Sequence, residues 1–116
     1  ELGGNDALRG YSIKLIKSNL EKMIALIKQN KSKVLLMQIR IPPNYGQKYM
    51  LAFEKIYKDL ALSEEVYLIP FMLEEIGINS DLMQPDGIHP NKKAQSLIAK
   101  DVKKNIDKFL LINQSN

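Results

Sequence analysis

The sequence predicts an α/β fold with a parallel sheet. Short, nearly continuous apolar runs alternate with longer stretches whose apolar residues recur at steps of three and four. The connections between them are brief, so successive strands run parallel with helices as crossovers. Pro and Gly clusters mark where each run stops.

Each element can be taken in order. Residues 12–30 read as a helix, with Ile13, Ile16, Leu20, Met23, Ile24 and Ile27 on one face and lysines on the others. Ser12 is its expected N-cap. Residues 33–39 read as a strand buried on both faces, ended by Pro42 and Pro43, and Asn44-Tyr45-Gly46 continues the loop. A second helix is expected over 47–62, with Met50, Phe53, Tyr57 and Leu60 inward. Val66 to Ile69 is a short strand ended by Pro70. Phe71 to Ile76 suits a brief helix, and Gly77 to Gln84 a loop. Asp86-Gly87-Ile88-His89-Pro90 is a tight turn. A last helix follows from Asn91, its cap, to about Leu111, with Ala94, Ile98, Val102, Ile106 and Phe109 facing a core. At the other end, a strand is expected to finish at Leu2 and to deliver Gly3-Gly4-Asn5-Asp6 into a loop. In such sheets, sites form beyond the carboxyl ends of the strands.

Composition removes several function classes. The 116 residues suffice for one domain at most. There is no cysteine, which excludes a disulfide framework, a thiolate metal site and a cysteine nucleophile. The net charge is +4, but only Arg9 and Arg40 are arginines, and the other fifteen of the seventeen basic residues are lysines spread over helical stretches. Nucleic-acid readers favour arginine beside stacking aromatics. No nucleic-acid partner is therefore expected. Solvated lysine faces account for the charge, with attraction to an anionic membrane or lipid substrate as the other reading. No run approaches the ~18 apolar residues of a membrane span.

Two clusters carry chemistry. His89 is the only histidine, and Asp86 stands three residues before it, with Gly87 between them to let the backbone turn. In a turn of this length the carboxylate reaches the imidazole Nδ1–H, fixes the tautomer and supports the imidazolium. On spacing alone, a histidine merely pinned by its aspartate at a helix start fits equally. In the second cluster, Gly3 and Gly4 allow close backbone approach to a ligand. The amide of Asn5 offers two N–H donors to a developing oxyanion without a charge to desolvate. An ordinary Gly/Asn/Asp turn is the competing reading. A metal site built from Asp6, Asp86 and His89 is disfavoured by the lone histidine and the lack of paired ligand spacing. No cofactor is expected.

Taken together, these residues resemble the SGNH (GDSL-like) hydrolases. Gly3-Gly4-Asn5-Asp6 matches that family's G-x-N-D block, and Asp86-Gly87-Ile88-His89 its D-x-x-H block. Residues 1–10, the stretch Arg40-Ile41-Pro42-Pro43-Asn44-Tyr45-Gly46 and the Asp-Gly-Ile-His-Pro turn are similar to one branch, the bacterial acyl-CoA thioesterase I, lysophospholipase L1 and arylesterase group. The resemblance covers nearly the whole chain. It implies a flavodoxin-like three-layer α/β/α sandwich whose N-terminal strands are missing here, so that residues 1–116 form the C-terminal part of one hydrolase domain.

It further implies that His89 is the general base, Asp86 its partner and Asn5 an oxyanion donor. Asp6 would organise its loop. Gly3, Gly4, Asp6, Leu8, Arg9, Pro43, Tyr45 and Ile88 would contact substrate, with Ala7 to Tyr11 as a mobile loop along an acyl groove. The implied substrates are fatty acyl thioesters, lysophospholipids and aryl esters, and the bacterial periplasm is the favoured location. None of the seven serines sits in a Gly-Asp-Ser context. The nucleophile is therefore expected upstream of Glu1, and this chain alone is expected to be inactive. The alternative is a truncated, non-catalytic remnant that binds lipid or a partner.

Loss of the first strands would leave unpaired edges and bare apolar faces. The isolated chain should then be marginally stable, or should associate with the missing segment or a second copy. Circular dichroism melts are expected to show a broad, low transition. A monomer with a sharp, high-temperature transition would overturn this.

Overall fold

The computed structural model describes residues 1–114, which fall into two compact units, Glu1–Pro70 and the chain from Phe71 onward. The first unit holds helices α1 (Gly4–Leu8), α2 (Ile13–Gln29) and α3 (Gln47–Ser63), and strands β1 (Leu35–Met37) and β2 (Tyr67–Ile69). The second holds helix α4 (Gln95–Gln114) and the loops that precede it. The chain is α/β, as expected.

The two strands pair in parallel, with Leu36 opposite Leu68 and Met37 opposite Ile69. Both are shorter than the apolar runs that predict them. Their burial also differs from expectation. In β1 only Leu36 is fully buried, while Leu35 and Met37 on the opposite face are half-buried. Among the described residues the sheet has these two strands. Residues 1 and 2, where a strand was expected to end, pair with no ladder among the described residues.

Helix α3 is the crossover and the centre of the first unit's core. Phe53, Ile56, Tyr57 and Leu60 recur at steps of three and one or four, and all four are buried. Each such side chain contributes roughly 1.5–3 kcal/mol relative to exposure. Phe53 and Tyr57 meet edge to face, with centroids 5.3 Å apart. Ile16, Leu20 and Ile24 of α2, Ala7 of α1, and Leu36 and Ile41 complete the cluster. Met50, expected inward, is half-buried against it. Ile27, also expected inward, is exposed in the last turn of α2. Ser12 caps α2 as predicted, its Oγ accepting the Leu15 N–H at 3.2 Å.

Several connections are more ordered than expected. Pro43–Tyr45 and Ser80–Leu82 are single 3₁₀ turns. The last helix opens with another, Lys92–Ala94, which Asn91 caps. The brief helix expected over 71–76 is replaced by hydrogen-bonded turns, with Gly77 N–H donating to Leu73 O at 2.7 Å. Ala94, which ends the Lys92–Ala94 3₁₀ turn, is buried as expected, but in α4 Ile106 is 39% exposed and Asn105 is buried in its place. Asn105 bears burial because its Nδ2 donates to Asp101 O, one turn back, at 2.9 Å.

The Tyr57 hydroxyl crosses 55 positions of sequence to donate to Leu2 O at 2.8 Å. Burial, with Glu1 and Asp6 as further causes, holds its pKa above the ordinary tyrosine value of 10.0. A raised folded value gives stability that is complete below the unfolded pKa and is lost as pH rises beyond it. Tyr57→Phe should cost about 1 kcal/mol in urea unfolding at neutral pH. It should also flatten the loss of stability above about pH 10. Unchanged stability at both pH values would show that the bond contributes nothing.

Candidate active site

The Asp86–His89 turn lies wholly in the second unit. Gly87 has φ +67°, a left-handed backbone that glycine adopts without strain. The Gly87 N–H donates to Gln84 O at 3.0 Å, and the Gln84 N–H donates to His89 O at 2.7 Å. Met83 and Pro90 form an antiparallel bridge that closes the base of the loop. Within it, Asp86 Oδ1 accepts two backbone N–H groups, from Ile88 at 2.9 Å and His89 at 3.0 Å. The other oxygen, Oδ2, lies 2.8 Å from His89 Nδ1. The carboxylate therefore shapes the turn with one oxygen and holds the ring with the other.

These bonds set the electrostatics. The His89 backbone N–H, then the His89 ring and the Ile88 N–H, hold the Asp86 pKa at about 2, below the ordinary 3.8. Asp86 is thus an ionised acceptor at neutral pH, and Nδ1 is the nitrogen that carries the hydrogen toward it. Among the described residues Nε2 has no hydrogen-bond partner, and the ring is 68% exposed. Ile88 is exposed beside it. A shallow cleft of about 480 Å³ runs past Gly77, Ile78, Met83, Pro85 and Gly87 along the flank of the turn.

The Gly3–Asp6 block lies in the first unit and is not a loop. Gly4, Asn5 and Asp6 form the first turn of α1, and Gly3 is its N-cap with φ +102°. A Cβ on Gly3 would stand 3.0 Å from the Tyr57 hydroxyl and 3.4 Å from Ile16, so the position takes no side chain without displacement. The helix forms because Gly3 O and Asn5 O accept the Ala7 and Arg9 N–H groups, at 3.0 and 3.1 Å. Asn5 is exposed, and its amide has no partner among the described residues. Asp6 is half-buried and Arg9 exposed, whereas Leu8 turns inward against the core.

The segment after α1 is tied down by a residue that the sequence pattern does not single out. Tyr49 Oη donates to Tyr11 O at 2.6 Å and lies 3.4 Å from Ala7 O. Burial, and secondarily Asp6, raises its pKa above 10.0, so it stays a donor. Tyr49 follows the exposed Pro43 and Tyr45 by less than two helical turns. Gln38, just past β1, is a second unforeseen residue. It is buried, and its Nε2 has no partner among the described residues. Its only sequence signal is a polar residue between Met37 and Ile39.

Within the described residues no three His, Asp or Glu side chains gather as metal ligands, and no helix is long and apolar enough to cross a membrane.

Because its folded pKa is depressed, Asp86 contributes stability that is complete above the ordinary value of 3.8. That contribution is lost as pH falls through about 2. Carboxyl-carbon NMR should place the Asp86 midpoint near 2. A midpoint at the ordinary aspartate value would mean that the two backbone bonds do not persist in solution.

The chain is 48% identical over 110 residues to an arylesterase of Vibrio mimicus, a match covering 95% of this chain and 55% of that one. It is 46% identical over 99 residues to the thioesterase 1/protease 1/lysophospholipase L1 of Escherichia coli K12, covering 85% and 48%. The chain thus spans about half the length of these curated relatives. The crystal structure of the psychrotrophic esterase EstA from a Pseudoalteromonas species, inhibited by monoethylphosphonate, superposes with a TM-score of 0.92 at 39% identity, over 95% of this chain and 60% of that one. Residues 1–97 match the GDSL-like Lipase/Acylhydrolase family. The match covers well over half of the chain, which therefore belongs to the GDSL-like Lipase/Acylhydrolase family.

Proposed function

We propose that this chain is the C-terminal part of a serine hydrolase domain that cleaves acyl esters and thioesters, the nucleophilic serine lying outside it. The observation that carries the reading is the 2.8 Å contact between Asp86 Oδ2 and His89 Nδ1, which leaves Nε2 open to solvent. A histidine held in this way has one nitrogen committed to a carboxylate and the other available for proton transfer. The names of the relatives, arylesterase and thioesterase 1/lysophospholipase L1, support the substrate class.

The chemistry follows from the roles. Nε2 of His89 takes the serine hydroxyl proton as the serine oxygen bonds to the acyl carbon. The carbonyl π electrons move to oxygen, and the Asn5 amide donates to that oxyanion. Asp86 stabilises the imidazolium. Collapse of the tetrahedral intermediate breaks the bond to the leaving oxygen or sulfur, which receives the proton from Nε2. Water then repeats the sequence on the acyl-enzyme and releases the carboxylic acid. Asp6 organises the first turn of α1. Gly3, Gly4, Leu8, Arg9, Pro43, Tyr45 and Ile88 border the substrate.

In the complete protein, His89→Ala should reduce kcat on an aryl ester by at least ~10³-fold. Asn5→Ala should cost about 10²-fold, and Asp6→Ala much less. Turnover retained in His89→Ala would refute the assignment of the base. An Asp6→Ala loss equal to that of Asn5→Ala would mean that the amide acts only when Asp6 holds its turn.

A further inference from the structure

Asn91 follows the turn that carries the Asp86–His89 pair, and every polar group it owns is engaged. Its side-chain Nδ2 donates to Asp81 O at 2.8 Å and to Met83 O at 3.1 Å. Its Oδ1 accepts the Lys93 N–H at 2.8 Å, and its own N–H donates to Leu82 O at 2.8 Å. Asp81 to Met83 is the segment that enters the loop, and Asn91 stands on the segment that leaves it. The amide therefore ties the two sides together below the Met83–Pro90 bridge, while its oxygen starts the 3₁₀ turn that leads into α4.

An amide is the smallest side chain that can do all this at once. It has two hydrogens for the two carbonyls and an oxygen for the cap. A serine or aspartate would cap the helix start equally well but cannot donate twice. The choice of asparagine over those caps points to the staple as its function. Burial does not replace it, because the turn residues from Gln84 to His89 are all exposed.

We propose that Asn91 is a positioning residue for His89, which fixes the height and direction of the imidazole by stapling the base of its loop. The inference rests on the reading of His89 as the general base. A proton-transfer group must be held to within a fraction of an ångström, and a displacement of about 1 Å can cost ~10²-fold in rate.

The test separates the staple from the cap. In the complete protein, Asn91→Ser keeps an acceptor for the Lys93 N–H and removes both carbonyl bonds, and Asn91→Ala removes all three. Both variants should lose about 10–100-fold in kcat with KM nearly unchanged. Backbone amide exchange at Ile88 and His89 should quicken in both, while α4 amides keep their protection. Wild-type kcat in Asn91→Ser beside a slow Asn91→Ala would reduce Asn91 to a cap and overturn the inference. Loss of protection throughout α4, or failure of both variants to fold, would also overturn it, since the support would then be global. His89→Ala is measured alongside. An active His89→Ala removes the reading of the base itself, whereas an inactive His89→Ala with an unaffected Asn91→Ser removes only the staple.

Discussion

The buried stripe of α3 is the constraint from which the first unit follows. Phe53, Ile56, Tyr57 and Leu60 must lie against something apolar, and the neighbours they find are the two strands and α2. Tyr57 adds a polar end to this stripe. Its ring is fixed edge-on to Phe53, so its hydroxyl is fixed as well, and the Leu2 carbonyl is held where that hydroxyl points. The next residue then has no room for a side chain and adopts a left-handed backbone, which starts α1. Asn5 thus takes its place from a chain of contacts that begins in the core. The apolar pattern of a helix 50 positions away decides where a polar amide is presented.

The second unit solves the same problem by other means. The residues of the Asp86–His89 turn are all exposed. Its shape comes from backbone hydrogen bonds, from a carboxylate that accepts two N–H groups, and from the residues at its base. Each such bond is worth only about 0.5–1.5 kcal/mol in net stability. Their combined value lies in geometry: several short bonds in one small loop leave few alternative conformations. A turn whose residues from Gln84 to His89 are all exposed needs this arrangement, because burial cannot hold it.

The sequence made the α/β class, the helices and the strands legible through periodicity, because burial imposes it directly. The widths of the buried stripes were not legible. Ile27 and Ile106 continue the helical pattern yet are exposed, and Asn105 is buried although polar, because it satisfies its amide on its own helix. Periodicity gives the direction of a stripe and not how far the covering elements reach. The contact of Asp86 with His89 was common to both readings of the three-residue spacing, and the 2.8 Å distance realises it without choosing between them. The helical start at Gly4 was not foreseen, since two glycines before Asn and Asp equally describe a loop. What decided it was Tyr57, which no local window contains. Tyr49 and Gln38 went unseen for the same reason, their partners or surroundings being set by tertiary structure.

The way Asp86 is ionised bears on how the pair works. The largest influence on its carboxyl is a backbone N–H, with the imidazole second. Its charge is therefore in place before any imidazolium forms, and does not depend on one. Between groups as exposed as these, water screens the coulombic attraction heavily, so charge alone would orient the ring weakly. The hydrogen bond does the orienting, and the backbone donors keep the acceptor in position whatever the protonation state of the ring. An acceptor fixed in this way need not reorganise when a proton arrives at Nε2, and preorganisation of that kind is the main source of electrostatic advantage in an active site. The Asp-Gly-Ile-His spacing matters because it brings two N–H groups and one ring nitrogen within reach of a single carboxylate. A glycine at 87 lets the backbone turn tightly enough to do so.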